Sequence, residues 1–143
     1  VVSDCTFADN VVIGGYGGGL YVQSDNYFVL RNVDFIRNNA TDGGGGGAYF
    51  HSRNPFTLCE GLTFIENVAG ESGGALSFLA SNLNVVIRNC TFIRNYAETS
   101  GGAVFSALSN TGIKISDSVF THNTAVAYGG AMYFGEQHAG ALS

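Results

Sequence analysis

A pair of glycines returns at a fixed interval along the chain. Its first member falls at Gly17, Gly45, Gly73, Gly101 and Gly129, each 28 residues after the last. A period that regular means a stack of like units, each burying its apolar face against its neighbours, and so one domain rather than several. A second marker keeps the same time. Phe7, Phe35, Phe64, Phe92 and Phe120 are each followed three residues later by Asn10, Asn38, Asn67, Asn95 and Asn123. One Phe step is 29 residues long. The extra residue is placed in Cys59-Glu60-Gly61, and a shorter turn after Asn67 restores the phase before Gly73.

In a stack of parallel strands, equivalent positions form columns rising about 4.8 Å per coil. Ahead of the Phe column run Val2, Leu30, Leu58, Ile87 and Ile115, then Cys5, Val33, Leu62, Cys90 and Ser118. Positions two apart and mostly apolar read as a short strand. After the Gly pair, Leu20, Ala48, Leu76, Val104 and Met132 form one inward column, and Val22, Phe50, Phe78, Ser106 and Phe134 form another. A third strand is expected at Phe28-Val29-Leu30 and its equivalents. The predicted fold is therefore all-β: a right-handed parallel β-helix of five coils of about 28 residues, with three short strands per coil. Helical repeats are excluded by the paired glycines and the β-branched and aromatic residues in every coil.

Polar columns carry the remaining information. The Asn column suits a ladder in which each amide bonds the next, so Asn10, Asn38, Asn67, Asn95 and Asn123 are assigned a structural role. The glycine pairs suit a corner where φ is positive or a Cβ has no room. Between the inward columns of the Gly-Gly strand lie Tyr21, Tyr49, Ser77, Phe105 and Tyr133, which must face outward. Four aromatics at strand spacing predict an exposed stripe for glycans or a partner protein, made by Tyr21, Tyr49, Phe105 and Tyr133.

The repeat Phe92-Ile93-Arg94-Asn95 followed by Gly101-Gly102-Ala103-Val104, with the fuller form Asn89-Cys90-Thr91-Phe92, resembles the repeat of the chlamydial polymorphic outer-membrane proteins. It covers essentially the whole chain. The resemblance implies a pectate-lyase-like β-helix displayed outside the cell as an adhesin or surface passenger. Gly19 and Gly47 stand where the repeat has Ala, and Val12 replaces the Ala found at Ala40, Ala69, Ala97 and Ala125.

Many proteins of that fold cleave acidic polysaccharides, which makes a lyase or hydrolase the alternative. Such chemistry needs clustered carboxylates with a cation beside them. Instead, the column two after Phe alternates in sign through Asp9, Arg37, Glu66, Arg94 and His122, which reads as a ladder of ion pairs. Asp4, Asn32, Asn89 and Asp117, with Glu60 near them, share a column too dilute in carboxylates for calcium. Gly43 to Ala48 match a dinucleotide fingerprint only formally, since no helix follows. His51, His122 and His138 occupy unrelated positions and are read as surface residues. No catalytic residue, metal site or cofactor is assigned.

Cys5 and Cys90 fall in one inward column about 14 Å apart, too far for a disulfide, and Cys59 has no evident partner. Asn39-Ala40-Thr41 and Asn89-Cys90-Thr91 are N-glycosylation patterns, with Asn39 expected in an accessible turn. With six Lys and Arg in a chain of net charge −5, no basic stripe exists and no nucleic-acid partner is expected. No apolar run approaches the ~18 residues of a membrane span. Both ends fall inside a coil, so residues 1–143 are read as an internal fragment of a longer protein. Its open edges would meet further coils of the same chain or end-to-end copies in a filament. The functional expectation is a non-catalytic, extracellular or cell-surface structural or adhesive element.

Overall fold

The computed structural model describes residues 1–24, 27–107 and 109–135. Every named strand pairs in parallel with its equivalent one coil away, and the described residues contain no helix. The chain is a β-solenoid with three faces. Leu20–Val22, Ala48–Ser52, Leu76–Ala80, Val104–Ser106 and Met132–Phe134 form the Gly-Gly sheet. The Phe strands lie in a longer sheet, entered by Val2–Ala8 and Val29–Ile36. In later coils that strand is broken in two, as in Leu58–Glu60 and Thr63–Ile65.

The three-strand expectation divides the coil differently from the structure. The expected third strand and the Phe strand are two limbs of one sheet, bent at Asp4, Asn32, Gly61, Asn89 and Asp117, all with positive φ. The third face comes from dipeptides that the sequence suggested were turn: Val11–Val12, Asn39–Ala40, Val68–Ala69, Tyr96–Ala97 and Thr124–Ala125. Two-residue strands leave no alternation to detect.

The phase slip also enters elsewhere. Cys59, not Leu58, pairs with Leu30 and Ile87, while Leu58 pairs with Val29. Tyr27 already stacks on Phe56, 29 positions on, so the extra residue is taken up before Phe56 rather than in Cys59-Glu60-Gly61. Gly61 consequently occupies the Asp4/Asn32 column, and Glu60 leaves it for the neighbouring one. The compensating short turn after Asn67 is present: Ala40 pairs with Ala69, yet Ala48 pairs with Leu76.

The core fills the inside of the coils. Phe35, Phe64 and Phe92 are fully buried and stack through Phe7 and Phe120, with centroids 4.6 to 5.0 Å apart and planes within 6°. Opposite them, Phe50 stacks on Phe78 at 5.0 Å, beside Leu76 and Val104. Such offset stacking adds to the burial of large rings.

The Asn ladder runs along one corner. Asn10, Asn38, Asn67 and Asn95 each donate from the amide NH₂ and the backbone N–H to the Oδ1 of the Asn one coil on, as Asn38 does to Asn67 at 3.0 Å. Asn38, Asn67, Asn95 and Asn123 also donate an amide hydrogen to a Phe carbonyl of the preceding coil. A parallel ladder of Asn54, Asn82 and Asn110, all fully buried, runs along another corner. Its members are also 28 apart, four residues after Phe50, Phe78 and Ser106 of an inward column, so the same spacing argument identifies it.

Candidate functional site

The outward column of the Gly-Gly sheet holds the predicted aromatics, but not as a flat exposed stripe. Tyr21 is 44% exposed, whereas Tyr49 is 3% exposed because Tyr21 stacks on it at 5.7 Å and Tyr16 covers it at 4.6 Å. Tyr16 arrives from the turn ahead of Gly17, which column reading could not place over a strand. Burial pushes the Tyr49 phenol above its ordinary pKa, reinforced by Tyr16, Tyr21 and Glu71. Two coils on, Phe105 stacks on Tyr133 at 5.5 Å, both half-buried. The four residues therefore form two stacks rather than one stripe.

Ser77 separates them. It pairs with Tyr49 on one side and Phe105 on the other, and over it lies a cleft of about 360 Å³. Tyr49 and Phe105 line it, Gly44 adds no side chain to it, and Ser77 is 2% exposed within it. Leu79 and Ala107 give the lining an apolar part, whereas Glu71, Ser72 and Thr99 give it a polar one. The Ser72 and Thr99 hydroxyls bond each other across one coil step.

The charged columns hold coils together. Arg37 grips Asp9 with two hydrogen bonds of 2.7 and 2.8 Å, and Arg94 bonds Glu66 at 2.9 Å. All four residues have positive φ, at the corner that ends the Phe strand. Glu60, shifted by the slip, sits between Arg31 at 2.9 Å and Arg88 at 2.7 Å and joins three coils. Asp4 accepts from Asn32 at 3.0 Å. Among the described residues, no three His, Cys, Asp or Glu side chains converge as a metal site would require.

A family model described as a right handed beta helix region matches residues 1–138. The chain belongs to the right-handed β-helix family. No curated protein and no solved structure matches it.

Elsewhere on this β-helix the predicted residues are placed as follows. Asn89 is exposed at a bend with φ of 52°. Asn39 is not in a turn: it is half-buried in a dipeptide strand, and its Oδ1 is buried without a hydrogen-bond partner. Cys59 and Cys90 are buried and Cys5 is exposed, all three as free thiols. Cys5 lies in the first coil, where its column is not covered on both sides. Burial raises the Cys59 thiol well above its ordinary pKa and the Cys90 thiol to about 11, which leaves both protonated and unreactive near neutrality. His51 is half-buried beside Tyr21 and Tyr49, His122 is exposed, and His138 lies outside the described residues. Among the described residues, no helix is long and apolar enough to cross a membrane.

The Glu60 cluster sets a pH dependence. The hydrogen bond from Arg31 comes first, and with Arg88 it holds the Glu60 carboxyl below its ordinary 4.5. A depressed carboxyl stabilises the fold above its unfolded pKa and loses that contribution as pH falls through the folded one. Glu60→Gln should therefore melt below the parent protein at about pH 7 and converge with it as the pH falls through the folded pKa of Glu60, below its ordinary 4.5. Parallel melting curves across that range would remove Glu60 from the stability of the stack.

Proposed function

We propose that this β-helix is a non-catalytic structural and adhesive element displayed outside the cell. The observation that carries this is the use made of its carboxylates. Asp4, Asp9, Glu60 and Glu66 each bond a side chain of an adjacent coil. The pKa values of Asp4, Asp9 and Glu60 are all lowered, for Asp4 by Asn32 first and for Asp9 by Arg37 first. A general acid needs the opposite shift, toward the working pH. Surface display is supported by the resemblance of the Phe-x-x-Asn and Gly-Gly-Ala repeat to that of the chlamydial polymorphic outer-membrane proteins. Adhesion is supported by an outward column that carries aromatic rings beside a cleft.

The test is turnover. Incubated with pectins, alginates and related glycans, the purified chain should release no more reducing or unsaturated ends than a heat-denatured sample. Release that co-purifies with the chain would establish a polysaccharide lyase or hydrolase instead.

A further inference from the structure

We propose that the outer face of the Phe sheet is an interface between two copies of this chain, laid face to face with their coil axes antiparallel. The inference goes beyond the adhesive reading and does not depend on it.

The face has an apolar centre. Phe35, Phe64 and Phe92 are fully buried, so Ile36, Ile65 and Ile93 beside them point outward, in register from coil to coil. Their side is half-buried rather than sealed. An all-parallel sheet usually has both faces covered, and three stacked isoleucines give a partner apolar area to remove from water.

Charged rims flank that centre. Asp9, Arg37, Glu66 and Arg94 follow the isoleucine column, and Arg31, Glu60 and Arg88 run along the other limb of the same sheet. Neighbours within each rim pair at 2.7 to 2.9 Å, yet the four arginines keep 46% to 57% of their side-chain surface exposed. They retain donors for a second partner.

Symmetry decides the occupant. Turning a second copy about the strand direction sets every column over itself and reverses the order of the coils, which is the self-complementary contact of a twofold dimer. Let the coil of Phe7 be the first. With the twofold between the second and third coils, Arg37 meets Glu66, Asp9 meets Arg94 and Arg31 meets Glu60, each pair formed twice. At the centre Ile36 meets Ile65, and the Asp34 carboxylate meets the Thr63 hydroxyl. An axis on the third coil instead sets Arg37 against Arg94, Arg31 against Arg88, and Glu60 and Glu66 against themselves. Both rims reject it, since like charges face each other. An axis between the third and fourth coils puts Asp34 over Val119 and Arg37 over His122, with no partner for either charge. One register therefore satisfies centre and rims together, and the surface that satisfies them is its own.

The test is sedimentation velocity of the 143-residue chain over a range of concentrations and salt. Four coils span only about 19 Å, so the dimer should be weak, with Kd between about 10 μM and 1 mM. It should weaken further as salt screens the rims. Asp9→Arg and Arg94→Asp should each weaken it about tenfold, and the two together should restore it to within about threefold of the parent. Within one chain residues 9 and 94 lie three coils apart, about 14 Å, so that restoration runs through the second copy. Ile65→Ser should abolish association with the melting curve preserved. If Ile65→Ser fails to fold, the pair at residues 9 and 94 still reads the interface. A chain that stays monomeric at about 1 mM, a double variant no tighter than the single ones, or association unchanged by all three substitutions would overturn the proposal.

Discussion

Gly74→Ala should cost at least about 4 kcal/mol and remove the cooperative unfolding transition of the stack. The reason lies in how the paired glycines divide their work. Gly73 has φ of +72°, a backbone conformation that L side chains rarely adopt. Gly74 is ordinary in φ but has no room. An added Cβ would lie 2.5 Å from the Tyr96 carbonyl oxygen and 2.7 Å from its carbon, and nearer still to the Gly102 carbonyl oxygen. All three atoms are backbone of the next coil, which Gly74 itself joins through its N–H to Gly101 at 3.1 Å. Relief requires the coils to part at that corner. Gly46 and Gly102 meet the next coil in the same way, so a gap at one level breaks contacts shared by its neighbours. Gly14→Ala is the control. Nothing lies within 4 Å of its added Cβ, and only its φ of +70° resists substitution, at about 1–2 kcal/mol. Urea unfolding of the two variants measures the contrast. Equal losses would show that close approach is not what keeps glycine at position 74.

The repeat made most of this fold readable, because a column is an average over five copies and local ambiguity cancels. Phe35, Phe64 and Phe92 could be placed inside with no knowledge of the turns, since equivalent residues must share a face. Columns fail where copies differ. The 28-residue step points to Leu58 as the core partner of Leu30, whereas the slip hands that place to Cys59. They fail again where a residue leaves its own strand. Tyr49 reads as exposed from its column, and it is buried because Tyr16 folds back over it from a turn. The cleft was invisible for a related reason. Ser77 looked like the weak member of an aromatic stripe, and only stacked rings on either side show that its small side chain opens a space.

Asn67→Leu should cost about 4 kcal/mol, far more than its near-isosteric size suggests. Asn67 is fully buried, and its Oδ1 accepts both the backbone N–H and the amide of Asn38, each at 3.0 Å. Its own amide donates to the Phe35 carbonyl and to Asn95 Oδ1, both at 2.9 Å. Leucine would leave two buried donors on Asn38 and one buried carbonyl on Phe35 without that partner, at about 1–3 kcal/mol for each orphaned group. The backbone N–H of residue 67 still reaches Asn95, so the damage falls on the coil below rather than on the coil above. Asn10→Leu provides the comparison. Asn10 is exposed and serves the ladder as a donor to Asn38, whose Oδ1 keeps the backbone N–H of residue 10. Its loss should stay within about 1 kcal/mol. Urea midpoints for the two variants, measured with the parent protein, give the ratio. If Asn10→Leu and Asn67→Leu shift the midpoint equally, the ladder does not act through buried hydrogen bonds, and the Asn column would have to be explained by packing alone.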